Sequence, residues 1–171
     1  GDAATTDNTT TVIAASINDA PAIAGTAAGQ TVDDNATVSP FSTVTIADVD
    51  AGEMVTVMVT LSEGDDNGAF SAASLSASGF TKTGAGQYSL TAASPADAQS
   101  AVRLLVFDPT VDQAAPGSSV TTTFTITVND GDAATTDNTT TVIAASINKP
   151  PPTPGPPARQ TVYDNTTGSP F

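Results

Sequence analysis

The stretch ADVDAGE, Ala47 to Glu53, sets three carboxylates, Asp48, Asp50 and Glu53, into one tight loop, with Gly52 to permit a sharp turn. Side chains of this type at this spacing suit a hard cation. Calcium is held by several oxygens at short range, and carboxylates plus backbone carbonyls can supply most of them. The EF-hand spacing and its closing Glu are lacking. Asp19, in NDAP, and Asp130 and Asp132, in NDGD, are further candidate ligands. The competing reading is a solvated acidic loop, because Asp and Asn also make turns through local hydrogen bonds. That plainer reading is preferred for Asp65, Asp66 and Asn67 in DDNG.

The rest of the composition narrows the chemistry. His and Cys are both absent. Zinc, haem and iron–sulfur centres therefore lack their usual ligands, and a metal must be bound by oxygen, which favours calcium. The usual nucleophile–base pairs are missing too, and no disulfide staple exists. Two carboxylates can serve a glycosidase, but Trp is absent and no cleft-forming sequence stands out. The expectation is a protein that is not an enzyme.

Residues 1–148 hold 17 of the 18 acidic residues and, as cations, only Lys82 and Arg103, a formal charge of −15. Phosphate binding needs clustered Lys and Arg, so nucleic acid is excluded as a partner. Divalent cations would relieve the self-repulsion of such a charge. No apolar run is long enough to span a membrane. Lys82, which could in principle cross-link to an Asn, reads as a surface charge. Four sequons, at Asn8, Asn35, Asn138 and Asn165, arise easily in a Thr-rich chain.

The elements that must position these carboxylates follow from repetition and alternation. GDAATTDNTTTVIAASIN occurs twice without a change, at residues 1–18 and 131–148, which sets a period of 130 residues. Beyond the shared Asn, 12 of 23 positions of residues 149–171 agree with residues 19–41, ending in a common SPF. Residues 1–18 thus read as the last strand of a preceding repeat and 19–148 as a complete module. Residues 149–171 read as a Pro-rich linker and the first strand of a following repeat. The chain is a window onto a tandem array.

Within the module, FSTVTI, EMVTVMVTL and TTTFTITV alternate apolar and polar residues, the pattern of strands with one face on a core. Val44, Ile46, Val57, Val59, Phe124 and Ile126 are expected inward; Thr56, Thr123 and Thr125 outward. NDGD joins Val120–Val128 to Thr135–Ile147 as a hairpin. One segment departs from this pattern. SPADAQSAVRLLVF (Ser94–Phe107) opens with Ser as N-cap, Pro at the first helical position and Asp at the third. It places Ala98, Ala101, Val102 and Leu105 on one face, predicting a short helix that covers an end of the sandwich and runs into a strand near Leu105–Phe107. The predicted fold is all-β, an antiparallel sandwich of roughly seven to nine strands with one short helix.

NDAP, the ADVDAGE loop and the run AVRLLVFDP, in this order and over the whole period, resemble the cadherin-like and VCBS-type tandem repeats of large bacterial surface adhesins. The resemblance implies an Ig/cadherin-like sandwich module, secreted to the cell surface, with calcium at module junctions. It implies a spacer that extends an adhesive end away from a cell, its partners being adjacent repeats or neighbouring copies joined by β-strand pairing. At the second junction NDAP becomes NKPP, so Lys149 stands where Asp19 stood, against calcium there. Two rivals are a filament or sheath subunit built by strand exchange between chains, and a glycan-binding module. The second would use an aromatic platform, and the aromatics of the period (Phe41, Phe70, Phe80, Tyr88, Phe107, Phe124) are expected in the core.

Overall fold

The computed structural model describes residues 1–148 apart from Asp7 and Ser16, together with Gly155. Among them the elements are β1 (Ala22–Ala24), β2 (Gln30–Asp33), β3 (Thr45–Ala47), β4 (Val55–Leu61), β5 (Gly68–Phe70), α1 (Ala72–Ser78), β6 (Thr81–Gly84), β7 (Gln87–Ala93), α2 (Pro95–Arg103), β8 (Phe107–Pro109), β9 (Ser119–Asn129), β10 (Ala134–Asp137) and β11 (Thr141–Ala145).

The alternation in the sequence becomes the two faces of one large sheet. Val55, Val57, Val59 and Leu61 of β4 are buried while Thr56 and Met58 are exposed. Phe124, Ile126 and Val128 of β9 are buried, with Thr123, Thr125 and Thr127 only partly covered on the other face. The sheet runs β2-β11-β9-β4-β7-β6, with β10 also on β9, and β1–β3 and β5–β8 form two further small pairs. Ile46 of β3, Phe70 of β5, Phe107 of β8 and Ala98, Ala101 and Val102 of α2 join the inward residues of the large sheet in one core. The molecule is thus mostly β, with small antiparallel pairs and helices laid on the apolar face of the sheet. An aromatic cluster fills its middle: Phe107 meets Phe124 edge-on at 5.0 Å and Phe70 meets Tyr88 at 4.9 Å. All six aromatics of the period are buried.

Three expectations need correction. The sheet is not antiparallel throughout, since β2 runs parallel to β11 from Gln30↔Val142 to Asp33↔Ala145. Among the described residues the strands number eleven rather than seven to nine, because β1 and β5 are only three residues each, too short to show a period. Among the described residues there are two helices, not one. α1 was missed because AASLSAS offers Leu75 alone as a large apolar residue; its signal lies in its caps. Ser71 accepts from the Ser74 amide, and Gly79 closes the helix in the left-handed region. α2 starts as its caps predict, on Ser94 with Asp97 in the first turn, ends at Arg103 and is followed by the expected strand, which begins at Phe107.

The hairpin from NDGD forms with an interruption. Asp137 pairs with Ile126 and Thr141 with Thr123, so three residues, Asn138–Thr140, oppose two. This is a bulge, which separates β10 from β11 and bends the strand. Residues 149–171, the predicted linker and following strand, lie outside the described residues except for Gly155.

Candidate functional site

The hairpin fixes where the chain enters and leaves. Asn18 donates its side-chain amide to Asp130 Oδ2 at 3.2 Å, beside the Asn129 end of β9. Ala145 pairs with Ser119, at the opposite end of that strand. An eleven-residue strand spans about 35 Å. Residues 19–148 therefore have a leading pole, at Asn18, and a trailing pole, at Asn148.

All six candidate ligands lie at the leading pole. Asp48 Oδ1 accepts from the Asp50 amide at 2.9 Å, which shapes the ADVDAGE turn behind β3. Asp50 Oδ2 then accepts from the Asp19 amide at 2.8 Å, tying the NDAP segment to that loop. In NDGD, Asp130 Oδ1 accepts from the amides of Ala133 at 2.6 Å and Asp132 at 2.8 Å. The Ala133 amide leads in holding the Asp130 carboxyl below the usual aspartate range, and the Asp132 amide and Asn18 side chain assist against some desolvation. Asn18, Asp50, Glu53 and Asp132 line a shared open hollow of about 400 Å³.

The arrangement is open. Among the described residues no three carboxylates stand close enough to share an ion as they are. Asp48 Oδ2 is buried and has no hydrogen-bond partner. A buried carboxylate oxygen without a donor is unfavourable, and a cation would satisfy it. The donor set is oxygen only, in keeping with a hard cation. Asn18, whose amide oxygen is a further donor at this pole, was not among the sequence candidates. Its signal was the Asn-Asp pair of NDAP, in which it precedes Asp19.

Lys82 Nζ lies 2.8 Å from Asp65 Oδ2, with both side chains well exposed. This bond lowers the Asp65 pKa, with help from the Gly86 amide, and raises that of Lys82. Asn67 is buried, donating to the Thr121 carbonyl and accepting from Gln113. It is followed by Gly68 at φ 137°, where a side chain would collide with the Asp108 carbonyl and the Phe107 ring. Asn8, Asn35 and Asn138 are exposed; Asn165 lies outside the described residues.

The two identical segments have different fates. Residues 131–148 fill the position between β9 and β2, where Thr140, Val142, Ala144 and Ser146 are buried. The described residues of 1–18 form no strand, and Val12 and Ile13, twins of Val142 and Ile143, are 90% and 92% exposed. Among the described residues no helix is long and apolar enough to cross a membrane. Comparison of the chain with family models, curated proteins and solved structures found no match.

Proposed function

We propose that residues 19–148 are a spacer module of an extracellular tandem array, an Ig/cadherin-like β-sandwich stiffened by calcium where one module meets the next. The reading is carried by the separation of the poles. A repeat that takes in its chain at one end of β9 and releases it at the other advances along one axis by about the length of that strand. Stacked copies then make a rod. In this reading the end of the preceding repeat, at Asn18, meets the acidic loops of the next. Asn18 contacts Asp130, and the adjoining Asp19 amide contacts Asp50.

Calcium at this pole would be held by Asp48, Asp50, Glu53, Asp130 and Asp132, with Asp19 and the Asn18 amide oxygen at the junction. It would draw the ADVDAGE and NDGD loops together and neutralise part of the module's charge. The fit is supported by the orphaned Asp48 oxygen. At the second junction Lys149 would hold a positive charge in the position of Asp19, and that junction would be stiffened by its prolines instead.

The test is a calcium titration of the chain followed by thermal melting and sedimentation. Calcium that binds the folded state alone stabilises it by about 2.7 kcal/mol at a hundredfold excess over the dissociation constant. Melting should rise with calcium, Asp48→Ala with Asp50→Ala should remove most of the rise, and the chain should sediment as an elongated monomer. A melting temperature that ignores millimolar calcium removes the cation. Ordered polymers would replace the spacer by a filament or sheath subunit.

A further inference from the structure

We infer that the parallel β2–β11 pair is the load-bearing clamp of the module, the contact that resists when its two ends are drawn apart. The inference rests on the array reading, in which tension arrives through Asp19 and leaves through Asn148.

The chain runs from the leading pole through β1 to β2, whose residues advance toward the trailing pole. β11 advances the same way, and the two pair from Gln30↔Val142 to Asp33↔Ala145. The contact continues at both ends of this register. The Thr141 amide donates to the Ala27 carbonyl at 3.2 Å, the Gly29 amide donates to Thr141 Oγ1 at 2.7 Å, and the Asp34 amide donates to the Ala145 carbonyl at 2.9 Å. Tension pulls β2 by its N-terminal end toward the leading pole and β11 by its C-terminal end toward the trailing pole. Because the strands are parallel, they are driven in opposite senses along a common axis. Bonds spaced evenly between parallel strands then lie across the direction of sliding and share the load. They must fail together.

The surroundings reinforce the clamp. β11 is backed along its other edge by β9 from Thr141 to Ala145, so it cannot slide alone. Val142 and Ala144 are buried beneath the pair and Val32 packs partly against the core, which keeps water from one side of the bonds. β1, held by only three pairs to β3, precedes β2 on the loaded path and should yield first. Its loss leaves the β2–β11 register intact.

The experiment is single-molecule pulling of the 171-residue chain in two directions. In one, handles are attached at the chain ends. In the other, they are attached through Asn35→Cys and Asn148→Cys, two exposed positions that follow β2 and β11 at the same pole. The second geometry peels the pair open one bond at a time. The peak force should be severalfold higher along the ends than across the pole, preceded by a small extension as β1 leaves. Thermal melting of the cysteine variant, expected to match the parent, shows that the fold is the same in both. Equal peak forces in the two directions overturn the clamp. A high end-to-end force in a chain that sediments as an ordered polymer would keep the clamp and remove the spacer reading.

Discussion

Tyr88 has no exposed surface, and its hydroxyl accepts the Phe70 amide at 3.3 Å. Burial raises its pKa above the ordinary tyrosine value, with the Phe70 amide and the Lys82 charge opposing. The sign follows. The fold favours the neutral phenol, so the stabilisation is whole below about pH 10 and is lost as pH climbs through the higher folded value. Tyr88→Phe should lower the melting temperature at pH 7, because a buried amide loses its acceptor at a cost of about 1–3 kcal/mol. It should also flatten the decline between pH 9 and 11. Melting curves across that range check it, and an unchanged alkaline slope in the variant would refute the assignment. At this scale the sequence was informative about types. Asp19, Asp48, Asp50, Glu53, Asp130 and Asp132 were all legible as oxygen donors. The bond from Asn18 to Asp130 was not, since it joins residues 112 apart in the chain, a closeness that only the folded hairpin creates.

β9 shows what a single element discloses. Its period of two assigns Phe124 inward and Thr125 outward, and the fold agrees: Phe124 is fully buried among Phe41, Phe70 and Phe107. Phe124→Ala should cost about 3–5 kcal/mol, and Thr125→Ala less than about 1 kcal/mol, as partly exposed positions usually do. Denaturant melts of the two variants measure both, and equal losses would contradict the register. β4 was legible for the same reason, being long enough for alternation to rise above chance. β1 and β5, of three residues each, have no period to read, and α1 buries too little apolar surface to mark its face. The parallel pairing of β2 with β11 was hidden for another reason. It brings together residues 112 apart, and nothing local to either strand names its neighbour.

For the whole molecule, two poles about 35 Å apart follow from one strand, β9, with Asn18 near its last residue and Ala145 paired to its first. That separation bears on how the chain finds its fold. During refolding two identical segments compete for one position beside β9. The local one is tied to β9 by the NDGD turn, and the leading one must close a loop of about 100 residues. Loop entropy favours the local copy by about 3 kcal/mol, and hairpins close within microseconds. The leading copy, if it won, would carry Asn18 to the Ser119 end of β9 and forfeit β1 and the contact with Asp130. The short turn is then a device against misassembly, the characteristic failure of repeat proteins. Disulfide trapping during refolding can see it. Ile143 pairs with Thr121 in the fold, so Ile13→Cys with Thr121→Cys reports the wrong occupant. That cross-link should be scarce with the natural turn and should increase when a flexible insertion lengthens NDGD; equal yields from both turns would mean that something other than turn length does the choosing. An array can thus repeat a final strand letter for letter and still fold each module on its own copy, because the correct copy always arrives first.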